Sequence, residues 1–136
     1  MNTKVIGLEE AAALVPSGAS VSIGGFTSQR HPSALLRALV RKGVRDLTIY
    51  YHSAGSDVDL LIGAGCVRRL EGAYLADGVF APIAPNFRRH VQQGRLEVED
   101  YSPPIRGISA INQPRAKDGT PAVVHGAHGD PATKIF

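Results

Sequence analysis

The stretch Gly18-Ala-Ser-Val-Ser-Ile-Gly-Gly-Phe-Thr-Ser-Gln-Arg-His-Pro32 holds the residues whose types and spacing best suit chemistry. Val21 and Ile23 alternate with Ser20 and Ser22, so Ala19–Phe26 reads as a strand that Gly24-Gly25 interrupts, and Pro32 opens a helix soon after. A turn from strand to helix lies at the C-terminal edge of a sheet. Glycines there let a ligand approach the backbone and leave N–H groups free, and the helix N-terminus that follows favours negative charge. An acyl oxygen, a phosphate or a carboxylate suits such a turn; the same spacing also makes an ordinary tight turn.

Two better-known glycine motifs do not fit. A phosphate-binding P-loop needs Gly-Lys followed by Ser or Thr, and the chain has no such triplet. Gly63-Ala-Gly65 runs into Cys66, Val67 and Arg68, so it lacks the third glycine of a dinucleotide fingerprint and precedes a strand; it reads as a helix end. His125-Gly-Ala-His128-Gly-Asp130 offers three potential ligands in a short span, but its Gly- and Pro-rich setting does nothing to orient the imidazoles, so no metal is expected. His52 and Cys66 have no neighbouring base or cation in sequence and are expected to be structural.

The elements that must position the glycine turn alternate between the helical and the strand period. Leu8, Ala11, Ala12 and Val15 share one helical face until Pro16 and Gly18 stop it. After the first strand, Leu35, Leu36, Leu39 and Val40 form the stripe of a helix from Pro32 to Gly43, and Leu47–His52 is a second strand. Ser56 with Asp57 and Asp59 reads as a cap and acidic first turn for a helix through Ile62. Val67–Ala76 is a weaker strand, Pro85 to Gly94 a helix with Phe87 and Val91 on one face, and Leu96 and Val98 alternate with Glu97 and Glu99 in a strand with one wet face. This succession predicts an α/β fold with a mostly parallel sheet and flanking helices. The composition changes near Pro103-Pro104. Residues 103–136 contain five Pro and four Gly with one short apolar run, Ala122-Val123-Val124, so 1–102 is expected to be the folded domain and 103–136 an irregular tail.

At 136 residues the chain is one domain at most, large enough to build a core without staples. Its one cysteine excludes an internal disulfide and points to a reducing compartment. A net charge of +3 with no Trp, four Phe and four Tyr is not a nucleic-acid footprint, and the pairs Arg68-Arg69 and Arg88-Arg89 are too few for one. No apolar run approaches membrane-spanning length, and Met1 to Glu10 lacks the layout of a signal peptide. The expected location is the cytoplasm, with neither membrane nor nucleic acid as partner.

Ser17-Gly-Ala-Ser-Val-Ser-Ile-Gly-Gly-Phe26, with Pro32 shortly after, resembles the signature of family I coenzyme A transferases. Pro32 to Thr48, Asp59-Leu-Leu-Ile-Gly-Ala-Gly-Cys-Val67, Ala84-Pro-Asn-Phe-Arg-Arg89 and Gly94-Arg-Leu-Glu-Val-Glu-Asp-Tyr-Ser102 resemble successive segments of the alpha subunit, nearest the glutaconate-type branch, over about residues 4–102. The resemblance implies transfer of coenzyme A from an acyl-CoA to a carboxylic acid through a nucleophilic glutamate, with coenzyme A thioester as substrate and no tightly bound cofactor. In the family that glutamate belongs to the beta subunit, so a beta subunit is the implied partner and the alpha segment supplies a glycine-rich wall.

The glutamates of this chain agree with that division. Glu9 and Glu10 fall in a first helical turn, Glu97 and Glu99 on a wet strand face, and Glu71 beside Arg69, so none is nominated as nucleophile. The residues carried over as candidates are Gly24, Gly25 and Phe26, joined by Arg30, Asn86 and Arg88. The chain departs from the commoner signature at Arg30, where many members have glycine, and at Ser17, where Asp or Asn is usual. Arg30 suits a substrate carboxylate or a CoA phosphate, and equally a solvated loop. Two other readings stand beside the transferase. One is a non-catalytic fragment or interaction module, because the family continues into further strands and helices that Pro103 to Phe136 does not resemble, so the resemblance implies an incomplete sheet; the other is a subunit of the related hydrolases that cleave rings in CoA esters.

Overall fold

The computed structural model describes residues 5–27, 29–78, 80–100 and 122–124. Among the described residues, four helices and five strands follow one another as α1 (Leu8–Ala13), β1 (Ser20–Ile23), α2 (Ser33–Lys42), β2 (Leu47–Ala54), α3 (Ser56–Gly63), β3 (Val67–Leu75), α4 (Pro85–Gln92), β4 (Glu97–Asp100) and β5 (Ala122–Val124). All strand pairs are parallel and the sheet order is β4-β3-β2-β1-β5, which is the α/β architecture expected from the alternating periods. The chain steps outward from β1 to β4, and β5 then takes the other side of β1. That reversal makes the C-terminal end of β1 a topological switch point, the place where open α/β sheets bind ligands.

Strand alternation divides the sheet into two unlike faces. On one, Val21 and Ile23 of β1 align with Ile49 and Tyr51 of β2, and Ile49 with Leu70 of β3. These side chains are buried against Leu36 and Leu39 of α2 and Val58, Leu61 and Ile62 of α3, whose three- and four-residue spacing gives each helix one apolar stripe. On the other face two polar rows cross the sheet, Ser20–Thr48–Arg69–Glu97 and Ser22–Tyr50–Glu71–Glu99. A register shift between Leu47 and Thr48 puts one extra residue, Arg68, into β3 and so places Arg69 and Glu71 on the polar face.

Local details refine the sequence reading. Helix α3 is capped by Gly55 with no side-chain hydrogen bond, so Ser56 is its exposed first residue instead of its cap. Strand β1 ends at Ile23, before the glycines, because the chain turns away from β2 there. Val67–Leu75, the weak candidate, is the longest strand, held on both sides by β2 and β4. Beyond Ser102 the apolar run Ala122–Val124 forms β5 against Val21–Ile23 of β1. Pro103 to Pro121 and the candidate metal-binding stretch His125 to Asp130 lie outside the described residues.

Candidate functional site

The turn after β1 is built from unusual backbone. Gly25 sits at φ +130°, which a side chain rarely tolerates. Thr27 and Arg30 also have positive φ, 51° and 61°, and a β-branched residue there is a genuine outlier. Phe26 and Gln29 exchange two backbone hydrogen bonds of 2.9 Å, closing a small antiparallel loop. Thr27 N–H donates to the Ser53 carbonyl at 3.1 Å, tying that loop to the end of β2. Among the described residues no backbone acceptor takes the Gly25 N–H. Strained residues of this kind each cost about 1–3 kcal/mol and concentrate where a site needs a fixed backbone.

Beneath the turn lies His31. Its side chain is 1% exposed, its Nε2 donates to the Ser53 carbonyl at 3.1 Å, and its Nδ1 lies 3.0 Å from Oδ2 of Asp57 in the first turn of α3. The Nδ1 contact with Asp57 is one of proximity and makes no aligned hydrogen bond. The imidazole fills the space that a Cβ on Gly25 would occupy. Gly55 meets a similar restriction, since a Cβ there would stand 2.7 Å from the Thr27 carbonyl oxygen. Glycine is required on both sides of the turn.

The structure brings Gly24, Gly25, Phe26 and Arg30 together at the C-terminal edge of β1. Gly24 is half-buried, Gly25 and Arg30 are exposed, and the Phe26 ring is 61% exposed despite its apolar character. Asn86 and Arg88 belong to a second cluster on α3 and α4. The Asn86 amide is spent within the fold: its Nδ2 donates to Asp59 at 2.9 Å and its Oδ1 accepts from Arg89 at 2.6 Å. Arg88 is exposed on the same helix. The sequence reading missed His31 and Asp57; the signal for His31 was its place in the glycine turn, but its partners lie in other elements.

Several other charges pair within the fold. Arg69 reaches three carboxylates on the polar face, Glu71 at 3.0 Å, Glu99 at 3.2 Å and Glu97 at 3.5 Å, and the contact with Glu71 raises its already high pKa further. Glu9 pairs with Arg41 in solvent, and Glu71 is buried beside Arg69. Cys66 is fully buried, and burial pushes its thiol pKa up against the opposing pull of Arg45. No helix among the described residues is long and apolar enough to cross a membrane.

A parallel α/β sheet with a glycine turn at its switch point defines a class of ligand-binding α/β domains. Residues 5–105 match the coenzyme A transferase family, and the chain belongs to it. It is 39% identical over 101 residues to the A subunit of glutaconate CoA-transferase from Acidaminococcus fermentans, covering 74% of this chain and 32% of that protein. It is 44% identical over 66 residues to the cholesterol ring-cleaving hydrolase IpdA subunit of Rhodococcus jostii, covering 48% of this chain and 22% of that one. The crystal structure of the Acidaminococcus fermentans glutaconate coenzyme A-transferase superimposes with a TM-score of 0.73 at 34% identity, covering 84% of this chain and 38% of that chain. The chain therefore spans about a third of the length of the glutaconate CoA-transferase subunit it matches.

Proposed function

We propose that this chain acts as an alpha-type subunit of a coenzyme A transferase, moving coenzyme A from an acyl-CoA to a carboxylic acid, with the nucleophilic glutamate supplied by a beta subunit. The observation that carries the reading is the Gly24-Gly25 turn, placed at the switch point of a sheet whose family is that of the transferases, with the Gly25 N–H unclaimed by backbone acceptors among the described residues. Attack of a carboxylate on a thioester carbonyl moves negative charge onto the carbonyl oxygen, and a fixed backbone N–H directed there stabilises it. The thiolate then leaves and later returns to the acylated glutamate, which regenerates the carboxylate of the departing acid and leaves coenzyme A on the enzyme for the acceptor.

In this reading Gly24 and Gly25 form the wall against the thioester, and the exposed Phe26 ring lines its apolar side. Arg30 offers a cation to a substrate carboxylate or a CoA phosphate, and Arg88 a second one. Asn86 serves by holding α4 in place. Residues 1–102 carry the unit, and Ala122–Val124 of the Pro- and Gly-rich tail 103–136 adds β5; no resident cofactor, membrane or nucleic acid takes part, and the reaction belongs to the cytoplasm. The test is reconstitution with a glutamate-bearing beta-type subunit. The mixture is expected to exchange coenzyme A between an acyl-CoA and acetate or a dicarboxylate, and absence of exchange with every such partner overturns the reading.

The similarity to a ring-cleaving hydrolase subunit supports a second reading, in which the same turn stabilises an oxyanion during carbon–carbon cleavage of a CoA ester. Product analysis separates the two. A transferase moves the thioester to a new acid, whereas the hydrolase keeps it and opens the acyl part.

A further inference from the structure

We propose that His31 is the positioning residue of the glycine turn, its ring standing in for the side chain that Gly25 lacks and setting the direction of the Gly25 N–H. Its importance for turnover rests on the transferase reading above. The conformational part stands on geometry alone.

The turn itself is exposed, yet the His31 side chain beneath it is 1% exposed, and two separate elements hold it. Nε2 bonds to the Ser53 carbonyl at the end of β2, the same carbonyl that takes the Thr27 N–H, so one oxygen fixes the turn at two points. Nδ1 faces Asp57 Oδ2 on α3, and that oxygen is also 3.5 Å from Ser33 Oγ at the start of α2. The ring then fills the space that a Cβ on Gly25 would need. Rotating the Gly25 peptide displaces the imidazole, and displacing the imidazole breaks its contacts with β2 and α3. A loop of solvent-exposed, left-handed residues would otherwise sample several conformations, and the buried ring selects one.

At 1% exposure the imidazole stands behind the glycine turn, out of reach of solvent. Such a group works through another residue instead of touching substrate. The effect on chemistry is correspondingly indirect: a donor displaced by about 1 Å can lower turnover by about 10²-fold while substrate affinity is little changed.

Two measurements test this. In the free chain, the Gly25 amide resonance is followed by NMR in wild type, His31→Ala and His31→Gln; Gln keeps a donor for the Ser53 carbonyl. His31→Ala is expected to move or broaden the Gly25 signal and His31→Gln to bring it back toward wild type. A Gly25 signal unmoved in His31→Ala overturns the proposal, whatever the activity. Should His31→Ala not fold, His31→Asn, which is too short to reach Ser53, carries the same expectation. In the reconstituted complex, His31→Ala is expected to lower kcat about 10- to 100-fold with KM within about threefold, and His31→Gln to recover most of the loss. A loss confined to KM overturns the positioning role. A wild-type complex without CoA exchange fails the transferase reading, and the NMR result still decides the role of His31.

Discussion

Asp59 on α3 holds Asn86 on α4 at two points, its Oδ2 accepting the Asn86 side-chain amide at 2.9 Å and the Asn86 backbone N–H at 3.2 Å. Its other oxygen accepts the Phe87 N–H at 2.7 Å. A 4% exposed carboxylate thus caps a helix from a neighbouring one, and Asn86 in turn rests on Gly63, where a Cβ would stand 2.7 Å away. Charge-assisted bonds from a buried carboxylate to a helix N-terminus stabilise strongly. Asp59→Ala is expected to lower the unfolding free energy by about 2–4 kcal/mol, read from the urea midpoint at unchanged slope.

Arg30 occupies a left-handed conformation in which glycine carries no Cβ penalty. Arg30→Gly is expected to raise stability by up to about 1 kcal/mol in thermal or urea unfolding. The same change removes a cation from the turn, so the reconstituted enzyme should show a higher KM for acyl-CoA and a weaker dependence of that KM on salt. A variant that gains stability and keeps both the wild-type KM and its salt dependence would remove Arg30 from the site.

Gly72 of β3 pairs with Tyr51 of β2, and the phenol ring lies over the glycine where a Cβ would go. Gly72→Ala is expected to push the ring out of its place in the core at a cost of about 1–3 kcal/mol, seen as a lower urea midpoint. Removing the ring as well, in Gly72→Ala with Tyr51→Leu, should make the two changes non-additive by cutting the penalty of the alanine.

Cys66 is buried and its thiol pKa is raised by that burial, with the Arg45 guanidinium 3.7 Å away pulling the other way. The native chain should therefore resist iodoacetamide at pH 8 and react fully only when unfolded, as read by intact mass. Because the unfolded thiol ionises first, the native state holds more protons, and this residue's contribution to stability falls as pH rises above about 8.5.

The sequence exposed those parts of the fold that depend on local period. The stripes Leu36–Leu39 and Val58–Leu61–Ile62, the alternation Val21–Ile23 and the Gly24-Gly25 break are set by residues close in the chain, and each appears in the structure as an element or its end. The pairs that give the site its shape are of another kind. His31 meets Asp57, and Asp59 meets Asn86, only after β2, α3 and α4 have packed, so no spacing in the sequence announces them. Asn86 illustrates the difference, because nothing in the sequence around it announces Asp59 as its partner. The left-handed backbone of Arg30 is likewise invisible in a sequence that carries arginine there.

The central claim is that this chain supplies the backbone wall of a transferase site and its partner supplies the nucleophile. The most direct measurement is the intact mass of both proteins after the reconstituted complex is incubated with an acyl-CoA alone and quenched rapidly. The account predicts a coenzyme A adduct on the beta-type partner, lost when its glutamate is replaced by alanine, with this chain unmodified. A coenzyme A adduct on one of this chain's own glutamates, or an adduct on the partner that forms as readily without this chain, would contradict it.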